Sequence, residues 1–245
     1  MAKKQRLDLL LAERYPNVSR MQLQSLIMQG KVQVDGKVVD KPGHAVLPEA
    51  EIVADLDEPK FASRAGFKLE AALDTFDVEV TDLVVLDAGL STGGFTDCLL
   101  QRGARKVYGV DVGHGQVAEK IRQDGRVVVM EQTNLRHLTT LPELVDLVTL
   151  DLSFISIIKV LPAVVALMKP DARLICLIKP QFEAERQEIR RGGLVTDPTI
   201  HKRVITQVIA ACAELGLRLM AEPIESPLPG NTSGNLEFLA LFQRQ

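Results

Sequence analysis

The chain has 245 residues, 46% of them hydrophobic and 25% charged, with a formal net charge of −3. That length accommodates one ordinary domain plus a small one, and the composition excludes a disordered or fibrous chain. Cys98, Cys176 and Cys212 lie far apart without a C-x-x-C pair, and the four histidines have no ligand spacing. Neither a disulfide framework nor a metal site is therefore expected. No signal-like apolar stretch follows Met-Ala-Lys-Lys-Gln-Arg. The longest apolar region, 155–168, is interrupted by Lys159 and Pro162 and is too short for a bilayer span. The expectation is a cytoplasmic protein with no membrane contact.

The net charge conceals an asymmetry. Residues 1–43 hold eight Lys/Arg against four Asp/Glu, whereas residues 44–58 hold five acidic residues and no Lys or Arg. Contact with phosphate is most natural where the basic charge is concentrated.

In chain order, Leu7, Leu9, Leu10 and Leu11 predict a short helix from Arg6 to Arg14. Ser19, with Gln22 at the capping-box position, predicts the start of a second helix whose apolar face carries Leu23, Leu26 and Ile27 and which Gly30 ends. Two short strands around an Asp35-Gly36 turn follow, and residues 50–54 read as a third strand. This stretch resembles the S4 RNA-binding domain. The resemblance rests on Arg6-Leu-Asp-x-Leu-Leu, Ser19-Arg20, Leu26-Ile27-x-x-Gly30-Lys31-Val32-x-Val34-Asp35-Gly36 and Lys41-Pro42-Gly43. It implies RNA contacts from Arg6, Arg14, Ser19, Arg20, Gln24 and Lys31. The expected division is an S4-like domain over 1–58, a linker over 59–64 and a second domain over 65–245.

After the linker, strands alternate with helical stretches, the pattern of βαβ units and a parallel sheet. Strands are predicted at 83–88, 106–112, 127–131, 146–151, 172–179, 218–225 and 236–243, and helices at 65–76, 94–102, 157–168 and 198–215. The last two strands leave no room for a helix between them, so they should pair antiparallel. The expected fold is α/β: a Rossmann-like sheet with an antiparallel last strand, similar to that of S-adenosylmethionine-dependent methyltransferases, behind a small α+β S4 domain.

Within that sheet, Leu83-Val-Val-Leu-Asp87-Ala-Gly89-Leu-Ser91-Thr92-Gly93-Gly94 reads as a buried strand, an acidic residue, a glycine turn and a helix start. Glycine serves where backbone bends tightly and approaches a ligand closely. The spacing is neither the dinucleotide fingerprint nor a P-loop. A carboxylate at the first turn suits the ammonium and sulfonium of S-adenosylmethionine better than it suits a pyrophosphate. Asp111 lies where a ribose-binding carboxylate is expected, and Gly113, Gln116 and Asn134 also follow strand ends. Asp87, Gly89, Ser91, Gly93, Gly94, Asp111, Gly113, Gln116 and Asn134 are thus the candidate cofactor residues.

The fourth strand ends in Asp151-Leu-Ser-Phe rather than the Asn/Asp-Pro-Pro-Tyr of amine methylation. The fifth runs into Lys179-Pro180, and a lysine at an apolar strand end is costly unless it is paired or used. Here the chain resembles ribose 2′-O-methyltransferases with a Lys-Asp-Lys-Glu tetrad. The match runs through Ser63-Arg64-Ala65-Gly66-Phe67-Lys68-Leu69, Leu150-Asp151-Leu-Ser, Ile178-Lys179-Pro180-Gln-Phe-Glu183 and Gly234-Asn235-Leu-Glu237-Phe238. With the S4 segment in front, nearly the whole chain is similar to the TlyA family, cytidine 2′-O-methyltransferases of ribosomal RNA often labelled hemolysins. The resemblance implies S-adenosylmethionine as cofactor, no metal, and ribosomal RNA or ribosomal subunits as partner.

By that resemblance Lys179 steers or deprotonates the hydroxyl and Asp151 holds Lys179, while Lys68 and Glu237 complete the network. The stretch 183–198 reads either as a lid or as a solvated loop. Competing readings are a non-catalytic RNA-binding or ribosome-assembly factor and a membrane-active hemolysin; the second predicts an export signal or a spanning or pore-forming pattern. Nothing in the sequence sets an oligomeric state.

Overall fold

The computed structural model describes residues 4–56, 59–230 and 234–245. The expected domain boundary at residue 58 lies outside the described residues. The chain divides into two compact units, Met1–Ser63 and Arg64–Gln245.

The first unit contains β1 (Gln5–Arg6), α1 (Leu7–Arg14), α2 (Arg20–Met28), β2 (Val32–Val34), β3 (Lys37–Val38), β4 (Ala45–Val46) and β5 (Ile52–Ala54). The capping box that starts α2 is formed in both directions. Gln22 N–H donates to Ser19 Oγ, and Ser19 N–H donates to Gln22 Oε1. Leu7 and Leu11 of α1 pack with Leu23 and Ile27 of α2 and Val32 of β2 as a buried core. The β2–β3 hairpin turns through Asp35 and Gly36, both at positive φ (50° and 74°), as a two-residue Asp-Gly turn requires. The antiparallel pairing of β1 with β4 was not expected. Two residues are too few for alternation to register.

The second unit contains α3 (Ala65–Thr75), β6 (Val84–Ala88), α4 (Gly94–Gln101), β7 (Lys106–Val110), α5 (Glu119–Arg122), β8 (Val127–Met130), β9 (Val145–Leu150), α6 (Leu161–Leu167), β10 (Met168–Ile178), α7 (Pro180–Glu183), α8 (Pro198–Glu214), β11 (Leu217–Leu219), β12 (Ile224–Glu225) and β13 (Phe238–Arg244). The sheet runs β11-β13-β10-β9-β6-β7-β8, and β12 also pairs with β13. Neighbours from β8 across to β10 are parallel, whereas β13 is antiparallel to β10, β11 and β12. The sheet is the expected one, its reversed strand set between β10 and β11.

Successive strand residues point to opposite faces. Val84, Leu86, Val148, Leu174, Cys176 and Phe242 form one buried cluster with Val164 of α6 and Val208 of α8. The alternate residues Val85, Val107, Leu147, Ile175 and Leu241 are buried too, so both faces are covered. This explains why the strands read as continuous apolar runs.

Three boundaries differ from the expected ones. The helix predicted at 157–168 is a 3-10 turn, Ile157–Lys159, followed by α6, and Met168 already belongs to β10. β10 starts early because it is irregular: Pro170 has no N–H to donate, Asp171 lies at φ 61°, and the register with β9 shifts between Met168 and Arg173. The strand predicted at 218–225 is broken into β11 and β12 by a segment containing Pro223.

Candidate active site

Chain order places the topological switch at β6, which has β7 on one side and β9 on the other. Ligands of such sheets bind beyond the carboxyl ends of the strands at this crevice. Gly89, Ser91 and Gly93 take positive φ (91°, 48° and 93°) in the turn after β6. A Cβ on Gly89 would lie 2.3 Å from the carbonyl oxygen of Asp151, and one on Gly93 would lie 2.9 Å from Ile121 Cγ1. Both positions need glycine for conformation and for room. Gly94 then opens α4.

Asp111, just past β7, ties this turn down. Its Oδ2 accepts Ser91 N–H and its Oδ1 accepts Gly113 N–H, each at 2.7 Å. Each carboxylate oxygen keeps a second lone pair for a ribose hydroxyl. Gly113 leaves space for the Gln116 amide, which a Cβ there would approach to 2.6 Å. The glycine cradle and the partly exposed Asp111 fit the amino-acid and ribose parts of S-adenosylmethionine.

Asp87 is placed differently from the expected contact with the cofactor's ammonium. It is fully buried, and its two oxygens accept the hydroxyls of Thr96 (2.6 Å) and Thr149 (2.8 Å). Burial raises its pKa to about 6, against the lowering effect of both hydroxyls. This arrangement organises the turn from beneath. Asn134 is exposed and caps the 3-10 turn Leu135–His137 by accepting Arg136 N–H.

The four tetrad positions meet at the same sheet edge. Asp151 follows β9, where the register pairs Leu150 with Cys176, and Lys179 follows β10. Ile178 pairs with Phe238, so one further step sets Lys179 opposite Glu237. Lys179 Nζ lies 2.6 Å from Asp151 Oδ1 and donates to Ser153 Oγ at 3.0 Å. That carboxylate oxygen is shut off from solvent and accepts no well-aligned hydrogen bond, so the lysine's charge is what compensates it. Lys68, from α3, donates to Glu237 Oε2 at 2.5 Å, and both side chains are buried. Gly230 makes room for this pair, since a Cβ there would lie 2.7 Å from Glu237 Oε1.

Sequence reasoning missed several supporting residues. Thr149 lies two residues before Asp151 on β9 and beside Asp87 in the register, so strand period joins the three. Ser153 lies within the Asp151-Leu-Ser motif. Asn235 is buried two residues before Glu237; its Oδ1 accepts Val195 N–H and its Nδ2 donates to Gly193 O, both at 2.8 Å. Val195 O also meets the His201 ring, and Glu188 pairs with Arg203. The stretch 183–198 is thus tied to the entry of β13 and to α8. Glu183, raised above the usual carboxylate range by burial, accepts from Ser156 Oγ (2.6 Å) and Ile157 N–H (2.7 Å). It joins the loops that follow β9 and β10.

In the first unit, Arg6, Arg20 and Gln24 converge on Asp8. Arg14 instead donates to the carbonyls of Pro48 and Ala50, Lys31 pairs with Asp55, and Ser19 caps α2. No helix among the described residues is long and apolar enough to cross a membrane, and no described group of three His, Cys, Asp or Glu is placed to hold a metal ion.

A glycine-turned, doubly covered sheet with one reversed strand is the fold of S-adenosylmethionine-dependent methyltransferases. The FtsJ-like methyltransferase family model matches residues 61–243 and the S4 domain model matches residues 5–52. The chain is 44% identical to the 16S/23S rRNA (cytidine-2′-O)-methyltransferase TlyA of Mycobacterium tuberculosis, over 100% of this chain and 92% of that protein. It is 38% identical to Hemolysin A of Brachyspira hyodysenteriae, over 91% and 93%. A solved Streptococcus thermophilus structure described under a hemolysin name superposes with a TM-score of 0.77 at 37% identity, covering 100% of this chain and 90% of that one. The chain belongs to the FtsJ-like methyltransferase family, in the S4-bearing group that includes TlyA. S-adenosylmethionine is its methyl donor.

Proposed function

We propose that this chain methylates the 2′-hydroxyl of a cytidine in ribosomal RNA, acting on ribosomal subunits or their RNA in the cytoplasm. The observation that carries the reading is the meeting of Lys179–Asp151 and Lys68–Glu237 at one sheet edge, in backbone contact with the glycine turn. The S4 unit supports RNA as substrate, and the rRNA cytidine activity named for the M. tuberculosis relative supports the nucleotide.

A ribose hydroxyl is a poor nucleophile at neutral pH, so it needs alignment and a proton acceptor. Lys179, braced by Asp151 and Ser153, holds the 2′-oxygen in line and in its amine form takes up the proton. Lys68 and Glu237 position the ribose. Gly89, Ser91, Gly93, Gly94, Asp111, Gly113 and Gln116 hold the donor, whose sulfonium supplies an electrophilic methyl group. Asp87 and Asn134 shape the turns around it.

The test uses ribosomal subunits from a strain lacking this protein, purified protein and methyl-labelled S-adenosylmethionine, with label mapped as 2′-O-methyl. Label at a discrete cytidine is the expected result. Absence of label despite cofactor binding and intact subunits would overturn the reading in favour of a binding-only role.

A further inference from the structure

Asp8 is fully buried at the start of α1, yet it gathers two half-exposed arginines. Arg6 donates through Nε to Oδ1 (2.9 Å) and through Nη2 to Oδ2 (3.1 Å). Arg20 donates to Oδ2 through Nε (3.2 Å) and Nη2 (2.8 Å), and Gln24 Nε2 adds a fifth bond at 2.7 Å. Arg6 and Arg20 keep 52% and 50% of their side-chain surface in solvent. Each guanidinium thus spends one edge on the carboxylate and leaves its Nη1 group without a side-chain partner among the described residues. Gly43 lies against Arg6, where a Cβ would sit 3.5 Å from Nη1; glycine leaves that side open.

Two guanidinium groups on one buried carboxylate carry a net positive charge and are fixed side by side. Fixed planar forks lose less freedom on binding an oxyanion than two separate flexible side chains would. We propose that Asp8 is the positioning residue of a two-arginine phosphate site, in which Arg6 and Arg20 together grip one phosphate of the RNA backbone. The site rests on the rRNA reading above and specifies how the S4 unit holds its substrate. It also makes a counter-intuitive statement about charge, because Asp8 is a negative group that strengthens binding to a polyanion.

That sign separates positioning from bulk electrostatics. Asp8→Asn raises the local charge by one, so charge alone predicts tighter binding to ribosomal subunits. Positioning predicts about tenfold weaker binding. Because Asp8 is buried, Arg20→Lys serves as the second variant: it keeps the charge on a half-exposed residue but loses the planar fork. Binding to subunits from a strain lacking this protein is measured across a salt series. Melting temperature and S-adenosylmethionine affinity serve as controls. The expected result is about tenfold weaker RNA binding by Arg20→Lys with both controls unchanged. Binding by Arg20→Lys equal to that of the parent, or tighter binding by a folded Asp8→Asn, would overturn the phosphate site alone. Failure of the parent itself to bind subunits would remove the rRNA reading and the site with it.

Discussion

Gly89 and Asp151 are in backbone contact: a Cβ on the glycine would lie 2.3 Å from the aspartate's carbonyl oxygen. The turn proposed to hold the methyl donor and the strand end that carries the catalytic network therefore form one packed unit. Gly89→Ala must move backbone rather than a flexible side chain, and it also places alanine at φ 91°. We expect a loss of roughly 2–3 kcal/mol in stability and loss of cofactor binding together. Denaturant melts and calorimetric titration check this, and a stable Gly89→Ala variant with normal cofactor affinity would contradict it.

Lys179→Ala should lower methyl transfer by about 10²–10⁴-fold while leaving S-adenosylmethionine affinity within a few-fold. Single-turnover rates on ribosomal subunits measure the first quantity and titration the second. Full activity in that variant would exclude Lys179 from the proposed mechanism.

Lys68 and Glu237 form a buried pair between α3 and the entry of β13. Removing one partner strands the other charge, so Lys68→Met and Glu237→Leu should each cost about 3–5 kcal/mol. The double variant should regain most of that stability yet remain inactive. Activity in the double variant would reduce the pair to a structural brace.

Asp87 gives a pH signature. Its folded-state pKa of about 6 lies above the ordinary value of 3.8, so between these values the folded chain binds the extra proton. Its contribution therefore favours folding below about pH 4 and is lost as pH rises through 6, a change of roughly 3 kcal/mol. Other carboxylates, including Asp146 and Asp197, are lowered and act in the opposite direction. The comparison must therefore be parent against Asp87→Asn. The variant should gain stability relative to the parent as pH rises from 4 to 7; a constant difference would refute the shift.

The sequence made the sheet, the reversed strand and the glycine turn legible, because buried strands and positive-φ turns restrict residue type at each position. The tetrad was legible only through resemblance: Lys68 and Glu237 are 169 residues apart, and no local spacing connects them. Destinations of polar side chains were least legible. Charge counting grouped Arg14 with Arg6 and Arg20, but Arg14 is spent on loop carbonyls while the others converge on Asp8. Asp87 and Asn134 likewise have residue types that suit ligands and surroundings that occupy them locally. Composition does not record which donor meets which acceptor.

The placement of β13 has a consequence for the order of assembly. Among the described residues β11 pairs with β13, and β13 alone joins it to β10. β11 therefore cannot enter the sheet before β13 does, and Glu237 reaches the site at the head of that same strand. These pairings lie far apart along the chain, which makes them late events in folding. A chain that has assembled its parallel strands but not this insertion has a cofactor crevice without a complete reaction centre. Topology thus acts as a checkpoint, delaying chemical competence until the sheet is closed.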